Sequence, residues 1–177
     1  MGYRVAGAAL RELNSSRDVD EELAAIVEND SCAIDAIQYV TGCTMGKGNL
    51  FLSDYGKPVY TFCRRSDGKA VRLVAKGLDE KRYPEITALR EKLLSGEATE
   101  EDRQKYDQKA QEALKTFLTD PLERAVDIQK VEIDPPEKAR IFNMVTCADC
   151  GERVMEPRTR VKKGQMVCIP CADLYER

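Results

Sequence analysis

Four cysteines near the C-terminus constrain this chain more than any other part of its sequence. They form two CxxC pairs, Cys147 with Cys150 and Cys168 with Cys171, and 17 residues separate the pairs. Each CxxC turn can direct two thiolates at one ion, so the four together close a tetrahedral zinc site. A closed site predicts structural rather than catalytic zinc. The spacing also fits an iron site of rubredoxin type or a redox dithiol.

The composition excludes several other kinds of site. Histidine is absent from all 177 residues, which rules out a Ser-His-Asp or Cys-His catalytic site, a facial-triad iron site and a Cys2His2 finger within this chain. A net charge of −3 and a pI near 5.3 argue against a surface built throughout for nucleic acid. No apolar run reaches the roughly 18–20 residues of a membrane helix. The cysteine content without a secretory pattern predicts a cytoplasmic protein.

The first half of the chain predicts helices followed by short strands. Apolar periodicity and capping residues indicate three helices: over 1–13, from Asp18 through the apolar run 23–27, and from about 31 to Gly42. Apolar runs bounded by turn residues then indicate three strands, at 50–52, 59–62 and 71–74. The turns between these strands favour an antiparallel meander.

The second half begins with a long, charged helical segment over 84–118. Ser95-Gly96 divides it into two arms, and Thr99 with Asp102 forms a capping box for the second arm. One further strand is expected within 126–133, before a boundary near 136–146. A short helix is expected over 172–177, after the last cysteine.

The spacer between the CxxC pairs predicts a hairpin. Gly151 allows a tight first turn, and Lys163-Gly164 suits the hairpin tip. Five basic residues form a stripe along this spacer: Arg153, Arg158, Arg160, Lys162 and Lys163. Such a stripe is typical of a solvated hairpin face, and a nucleic-acid contact is the alternative.

Three further cysteines belong to the first part of the chain. Cys32 is expected at a helix start, where the helix dipole favours a thiolate, and Asp35 lies on the same helical face. Cys43 follows the same helix, so the two cysteines should lie roughly 15 Å apart and share no ion. Cys63 is expected on a strand. The alternative is that all three are small buried hydrophobic residues of the core.

Two longer segments resemble a known family. DSCAIDAIQYVTGCTMGKGNL (30–50) and DYGKPVYTF (54–62) are similar to the FmdE family, named after a component of formylmethanofuran dehydrogenase. EKARIFNMVTCADCGERVMEPR (137–158) resembles the FmdE form with a C-terminal zinc finger, and the finger also resembles the four-cysteine TraR/DksA type.

The resemblance implies an α+β fold, with helices packed on a small antiparallel sheet, in a core domain over 1–136. It implies a zinc-ribbon or treble-clef-like module over 137–177, and a homodimer. It also implies a site around Cys32, Asp35 and Cys43 that could hold a second metal. Relatives carry an HGHxCPG-like segment just before the position of Gly2, which this chain lacks, so we expect the site to be incomplete and catalytically silent.

Two functional hypotheses follow from these features. The first is a metal-binding accessory or redox component related to formylmethanofuran dehydrogenase, in one-carbon metabolism. The second is a binding module, in which the zinc finger docks a protein or nucleic-acid partner and the core is a dimerisation scaffold. An independent enzyme is the weakest hypothesis, because the chain has neither histidine nor a nucleotide-binding fingerprint. One zinc per chain favours the binding module, whereas iron or a second metal favours the redox component.

Overall fold

A computed structural model of the chain describes residues 1–76 and 81–172. The chain divides into two compact units, Met1–Lys138 and Ala139–Arg177. Both helices and strands occur in the first unit, and the second unit is made mainly of short strands. The predicted α+β class is confirmed. The predicted helix over 172–177 falls mostly on residues 173–177, which lie outside the described residues.

The first unit is built on a five-stranded sheet with the order β2-β1-β3-β4-β5. Its strands are β1 (Leu23–Val27), β2 (Leu50–Leu52), β3 (Val59–Arg64), β4 (Lys69–Ala75) and β5 (Val126–Glu132). Its helices are α1 (Gly2–Glu12), α2 (Ala33–Thr41), α3 (Pro84–Ser95), α4 (Glu100–Thr119) and α5 (Leu122–Ala125). The helices α1 and α2 pack together, and their apolar faces share one core with alternate residues of the sheet.

The expected second helix is wrong, because the apolar run Leu23–Val27 is the strand β1. Four of its five residues are buried and the fifth is half-buried. A short apolar run of this kind has the same sequence pattern whether it forms a buried strand or a buried helix turn. Its pairing partners decide the outcome, since β1 lies between β2 and β3 in the sheet.

The sheet is mixed rather than wholly antiparallel. β1 pairs with β2 in parallel, with Ala25 opposite Leu50, and α2 is the helix that connects them. Parallel neighbours need such a crossover connection, so β1, α2 and β2 form a βαβ unit. The β3–β4 and β4–β5 pairs are antiparallel, as the expected meander requires for β3 and β4.

The crossover is held by a buried carboxylate before β1. The side chain of Asp18 is 4% exposed, and its Oδ1 accepts hydrogen bonds from the backbone N–H groups of Glu22 and Leu23, both at 3.1 Å. Its Oδ2 accepts from Asn49 Nδ2 and Lys47 Nζ, both at 2.9 Å. One side chain therefore joins the start of β1 to the residues that lead into β2.

Two helical arms form a hairpin, as predicted. α3 ends at Gly96, which has a φ of +78°, and α4 begins with the reciprocal capping box of Thr99 and Asp102. Ile86 and Ala113 are buried, whereas Leu94, Leu114 and Leu118 are more than half exposed. Self-association through these leucines stays a prediction, which light scattering can check.

The second unit contains two antiparallel pairs of short strands. β6 (Met144–Thr146) pairs with β7 (Arg153–Met155), and β8 (Thr159–Lys162) pairs with β9 (Gln165–Cys168). A 3₁₀ turn, Glu156–Arg158, joins β7 to β8, and α6 (Ile169–Ala172) follows β9. In the part of this unit that the structure describes, Cys147 and Val167 are the buried apolar residues.

In the described part of the chain, no helix is both long and apolar enough to cross a membrane.

Replacing Gly42 by alanine should destabilise the first unit more than the same change at Gly96. Both glycines have a positive φ, +75° and +78°, which costs an alanine about 1–2 kcal/mol. A Cβ at Gly42 would also lie 2.3 Å from the Asp18 carbonyl oxygen, whereas a Cβ at Gly96 meets nothing within 4 Å. Urea unfolding of the full chain measures both changes. Equal losses of stability would contradict the packing of Gly42 against Asp18.

Candidate metal centre

The two CxxC turns bring four sulfur atoms together in the second unit. The Sγ atoms of Cys147, Cys150, Cys168 and Cys171 all lie within 4.8 Å of one another. The Cys150 and Cys168 sulfurs are 3.9 Å apart. Zn–S bonds of about 2.3 Å would separate two sulfurs of a tetrahedron by about 3.8 Å. The spacing of the sulfurs therefore fits one zinc ion with four thiolate ligands.

Backbone hydrogen bonds shape the first turn around its cysteine. The Gly151 N–H donates to the Cys147 carbonyl at 3.0 Å, and the Cys147 N–H donates to the Glu152 carbonyl at 2.9 Å. Gly151 has a φ of +75°, which a residue with a Cβ adopts at a cost. The Cys168 N–H then donates to the Cys147 sulfur at 3.2 Å. The second turn is thus tied directly to a ligand atom of the first.

The hairpin between the pairs has the expected tip. Lys162 pairs with Gln165, and the two residues between them, Lys163 and Gly164, have φ values of +52° and +81°. Two positive φ values in a two-residue connection are characteristic of a type I′ turn. Lys162 Nζ donates to Asp149 Oδ2 at 2.7 Å and to the Cys171 carbonyl at 2.9 Å. This lysine side chain therefore links both CxxC turns.

The thiols of the cluster affect one another's ionisation. The backbone N–H groups of Cys150 and Cys168 lower the pKa of the Cys147 thiol to about 6. The neighbouring Cys168 thiol, followed by desolvation, raises the pKa of Cys171 to about 12. A cluster in which one thiolate forms readily and the next resists ionisation is suited to a cation, which stabilises all four thiolates at once. The four cysteines provide the donors for a structural zinc.

Cys32 lies away from this cluster, at the N-terminal cap of α2. It is exposed and lines a cleft of about 490 Å³ together with Tyr3, Tyr60 and Lys76. Asp35 is an exposed residue in the first turn of the same helix. It is not among the described residues that line the cleft.

Cys43 and Cys63 are buried residues of the first unit. The Cys43 sulfur donates to the Leu23 carbonyl at 3.5 Å, and burial raises the pKa of this thiol to about 11. Burial also raises the pKa of Cys63, which lies on β3 opposite Ala24 and Ala70. Both side chains are therefore protonated thiols at neutral pH.

The structure does not bring Cys32, Asp35 and Cys43 together. Cys32 precedes α2 and Cys43 follows it, so the length of the helix separates them. Among residues 1–76 and 81–172, the four cysteines of the second unit are the one group of three or more side chains placed to hold a metal.

Sequence reasoning missed the buried contacts of Asp18 with Lys47 and Asn49. The glycine-rich segment around Lys47 drew attention to its turns, and no local pattern links it to a residue 29 positions earlier. The one signal available was an unusual number of polar residues around β1 and β2, both of which are strongly apolar.

Changing Cys150 to serine should release the zinc and unfold the second unit while the first unit stays folded. The second unit has few buried apolar residues, so binding of the metal has to supply much of its folding free energy. We expect about one zinc per chain in the original protein and near none in C150S, measured by elemental analysis. Two-dimensional NMR of the C150S protein should retain the resonances of the first unit.

Cys32→Ser provides the matched control, since Cys32 is an exposed cysteine outside the cluster. It should keep its zinc. Absence of zinc from protein purified without chelators would contradict the four-thiolate site.

Comparisons with known proteins agree with this division of the chain. The family described as "FmdE, Molybdenum formylmethanofuran dehydrogenase operon" matches residues 1–127. The family described as "Prokaryotic dksA/traR C4-type zinc finger" matches residues 140–177, so it includes all four cysteines of the cluster.

Two individual proteins are similar over nearly the whole chain. A protein of Archaeoglobus fulgidus named "Probable S-adenosyl-L-methionine-binding protein" is 34% identical over 182 residues. The alignment covers 99% of this chain and 48% of that protein, so the chain spans about half the length of this curated relative.

The second similar protein is a solved structure, a tungsten formylmethanofuran dehydrogenase FmdE-like protein from Syntrophus aciditrophicus. It has a TM-score of 0.59 and 20% sequence identity, and the match covers 99% of this chain and 86% of that one. At this identity the likeness concerns the fold. The family match over residues 1–127 confirms the resemblance seen in the sequence, and the chain belongs to the FmdE family.

Proposed function

We propose that this chain is an accessory protein of a formylmethanofuran dehydrogenase-type system, and that it holds a protein partner through its zinc module. The family match carries the link to the dehydrogenase. The docking role is carried by one observation: the metal site has four protein ligands and no open position. Zinc in such a site organises a surface and does not bind a substrate.

The state of the core thiols favours docking over electron transfer. Zinc has no redox chemistry of its own, so an electron-transfer role needs either a second metal or a reactive dithiol in the core. Cys43 and Cys63 are buried thiols with raised pKa values, and a thiol is a poor nucleophile compared with its thiolate. Cys32 has neither of them beside it in a three-residue metal-binding group.

The proposal is tested by isolating the affinity-tagged chain from its native host at its normal abundance. We expect formylmethanofuran dehydrogenase components to be retained by the original chain and by C32S, and to be lost with C150S, in quantitative mass spectrometry. Retention by C150S would refute docking through the zinc module. Absence of dehydrogenase components from every sample would refute the link to that system. One equivalent of iron, or a second metal, would favour the redox alternative.

A second candidate function is binding of S-adenosylmethionine in the cleft beside Cys32. The relative from Archaeoglobus fulgidus suggests the ligand, and the cleft supports it. Its volume of about 490 Å³ lies within the range of small-molecule sites. It is bordered by the N-terminus of α2, where backbone N–H groups favour a carboxylate, and by two tyrosines that can stack on an adenine ring.

Alkylation of Cys32 provides the test of this second candidate. At pH 7, iodoacetamide should modify exposed Cys32 first and leave Cys43 and Cys63 unmodified in the zinc-loaded protein, because the buried thiols are protonated. S-adenosylmethionine at millimolar concentration should slow the modification several-fold, whereas methionine and adenosine together should not. An unchanged rate would exclude binding beside Cys32. Modification of Cys63 with Cys32 intact would contradict the assignment of Cys32 as the reactive core thiol.

A further inference from the structure

One face of the β6–β7 hairpin carries exposed apolar side chains that the fold does not use. Met144 lies directly opposite Met155, and they are 42% and 49% exposed. Side chains on a strand alternate between its two faces, so Arg153 shares this face with Met155. The Asn143 carbonyl accepts from the Glu156 N–H at 2.9 Å, which extends the pairing by one step. Phe142, two residues before Met144, is also 42% exposed.

The opposite face of the same hairpin does the packing. Val145 and Val154 form the cross-strand pair on that side, and both are half-buried. The Met144–Met155 pair therefore contributes little to the stability of the unit. Methionine, arginine and aromatic residues are enriched at protein–protein interfaces, and methionine adapts to irregular apolar partners. This set of residues, Phe142, Met144, Arg153 and Met155, is called the methionine face below.

The charges around the methionine face indicate the chemistry of its partner. Arg153, Arg158, Arg160 and Lys163 form no ion pair with any described residue, whereas Lys162 is paired with Asp149. Three carboxylates are present in the described part of this unit, on Asp149, Glu152 and Glu156. Four unpaired cations lie on β7, the turn after it and the β8 hairpin. They complement an acidic partner.

We infer that the methionine face is the docking surface of the zinc module and that it binds an acidic peptide segment carrying a large apolar side chain. This inference rests on the proposed function and names its partner class. The apolar side chain fills the space over Met144 and Met155, and acidic residues on either side pair with Arg153 and its neighbours. A nucleic acid would use the cations alone, since phosphates gain nothing from a pair of methionines.

The test is a selection of random 12-residue peptides displayed on phage against the zinc-loaded full chain. Peptides that enrich should share a large apolar residue flanked by Asp or Glu. Synthetic copies should bind M155E and R153E about tenfold more weakly than the original chain, a difference of about 1.4 kcal/mol. The matched controls are M45E and R90E, which change exposed residues of the first unit and should bind as the original does.

Zinc analysis shows whether each variant is folded, because an unfolded second unit loses its metal. M155E and R153E should both retain about one zinc per chain. If R153E loses its zinc, the milder R153Q, in the same assay, removes the charge without reversing it.

Several results would overturn the inference. These are enrichment of basic or purely polar peptides, equal binding to M155E and the original chain, absence of any enriched sequence, and displacement of the peptides by a 20-nucleotide oligonucleotide at lower concentration. The proposed function fails separately. If enriched peptides bind C150S as well as the original chain, the zinc module is not the docking element. If they need zinc but ignore M155E, docking occurs on another face.

Discussion

The first unit depends on burying one carboxylate at the start of a strand. Asp18 accepts four hydrogen bonds, two from the backbone before β1 and two from Lys47 and Asn49 before β2. A buried charge is costly unless it is paired and fully hydrogen-bonded. The two loops that flank α2 therefore have to close together, and neither can rearrange alone. Gly42 lies against the Asp18 backbone because no larger residue leaves room for this closure.

The second unit solves the folding problem in a different way. Few of its described side chains are buried, and its strands are three or four residues long. Elements this small do not bury enough apolar surface to balance the entropy of ordering the chain. Four thiolates around one ion replace the missing core, and the hydrogen bond from the Cys168 backbone to the Cys147 sulfur joins the two halves of the site. Metal binding and folding are thus one equilibrium in this part of the chain.

Local signals made many elements predictable from the sequence. The CxxC spacing, the stop at Gly42, the break at Gly96, the capping box at Thr99 and the turn at Lys163-Gly164 all depend on residues within a few positions of one another. Each of these features was found where its residues indicate. The strand β1 was not predictable in this way, because a five-residue apolar run has no periodicity that separates strand from helix.

Contacts between distant residues account for the rest. The parallel pairing of β1 with β2 follows only when β1 is known to be a strand, and the ion pair of Asp18 with Lys47 joins residues 29 positions apart. The same limit applies to the cysteines. Four lie in two tight turns and their meeting is predictable from spacing, whereas the surroundings of Cys32 and Cys43 depend on which elements pack around α2.

The division of labour in the zinc module has an evolutionary consequence. A domain held together by its hydrophobic core restricts most of its positions, because each substitution alters the packing. Here four cysteines and a few glycine or turn positions hold the fold, and the outward residues of β6, β7 and β8 are exposed. Those positions can accept new side chains with little loss of stability. Partner choice in such a module can therefore diverge between related proteins much faster than the scaffold that presents it.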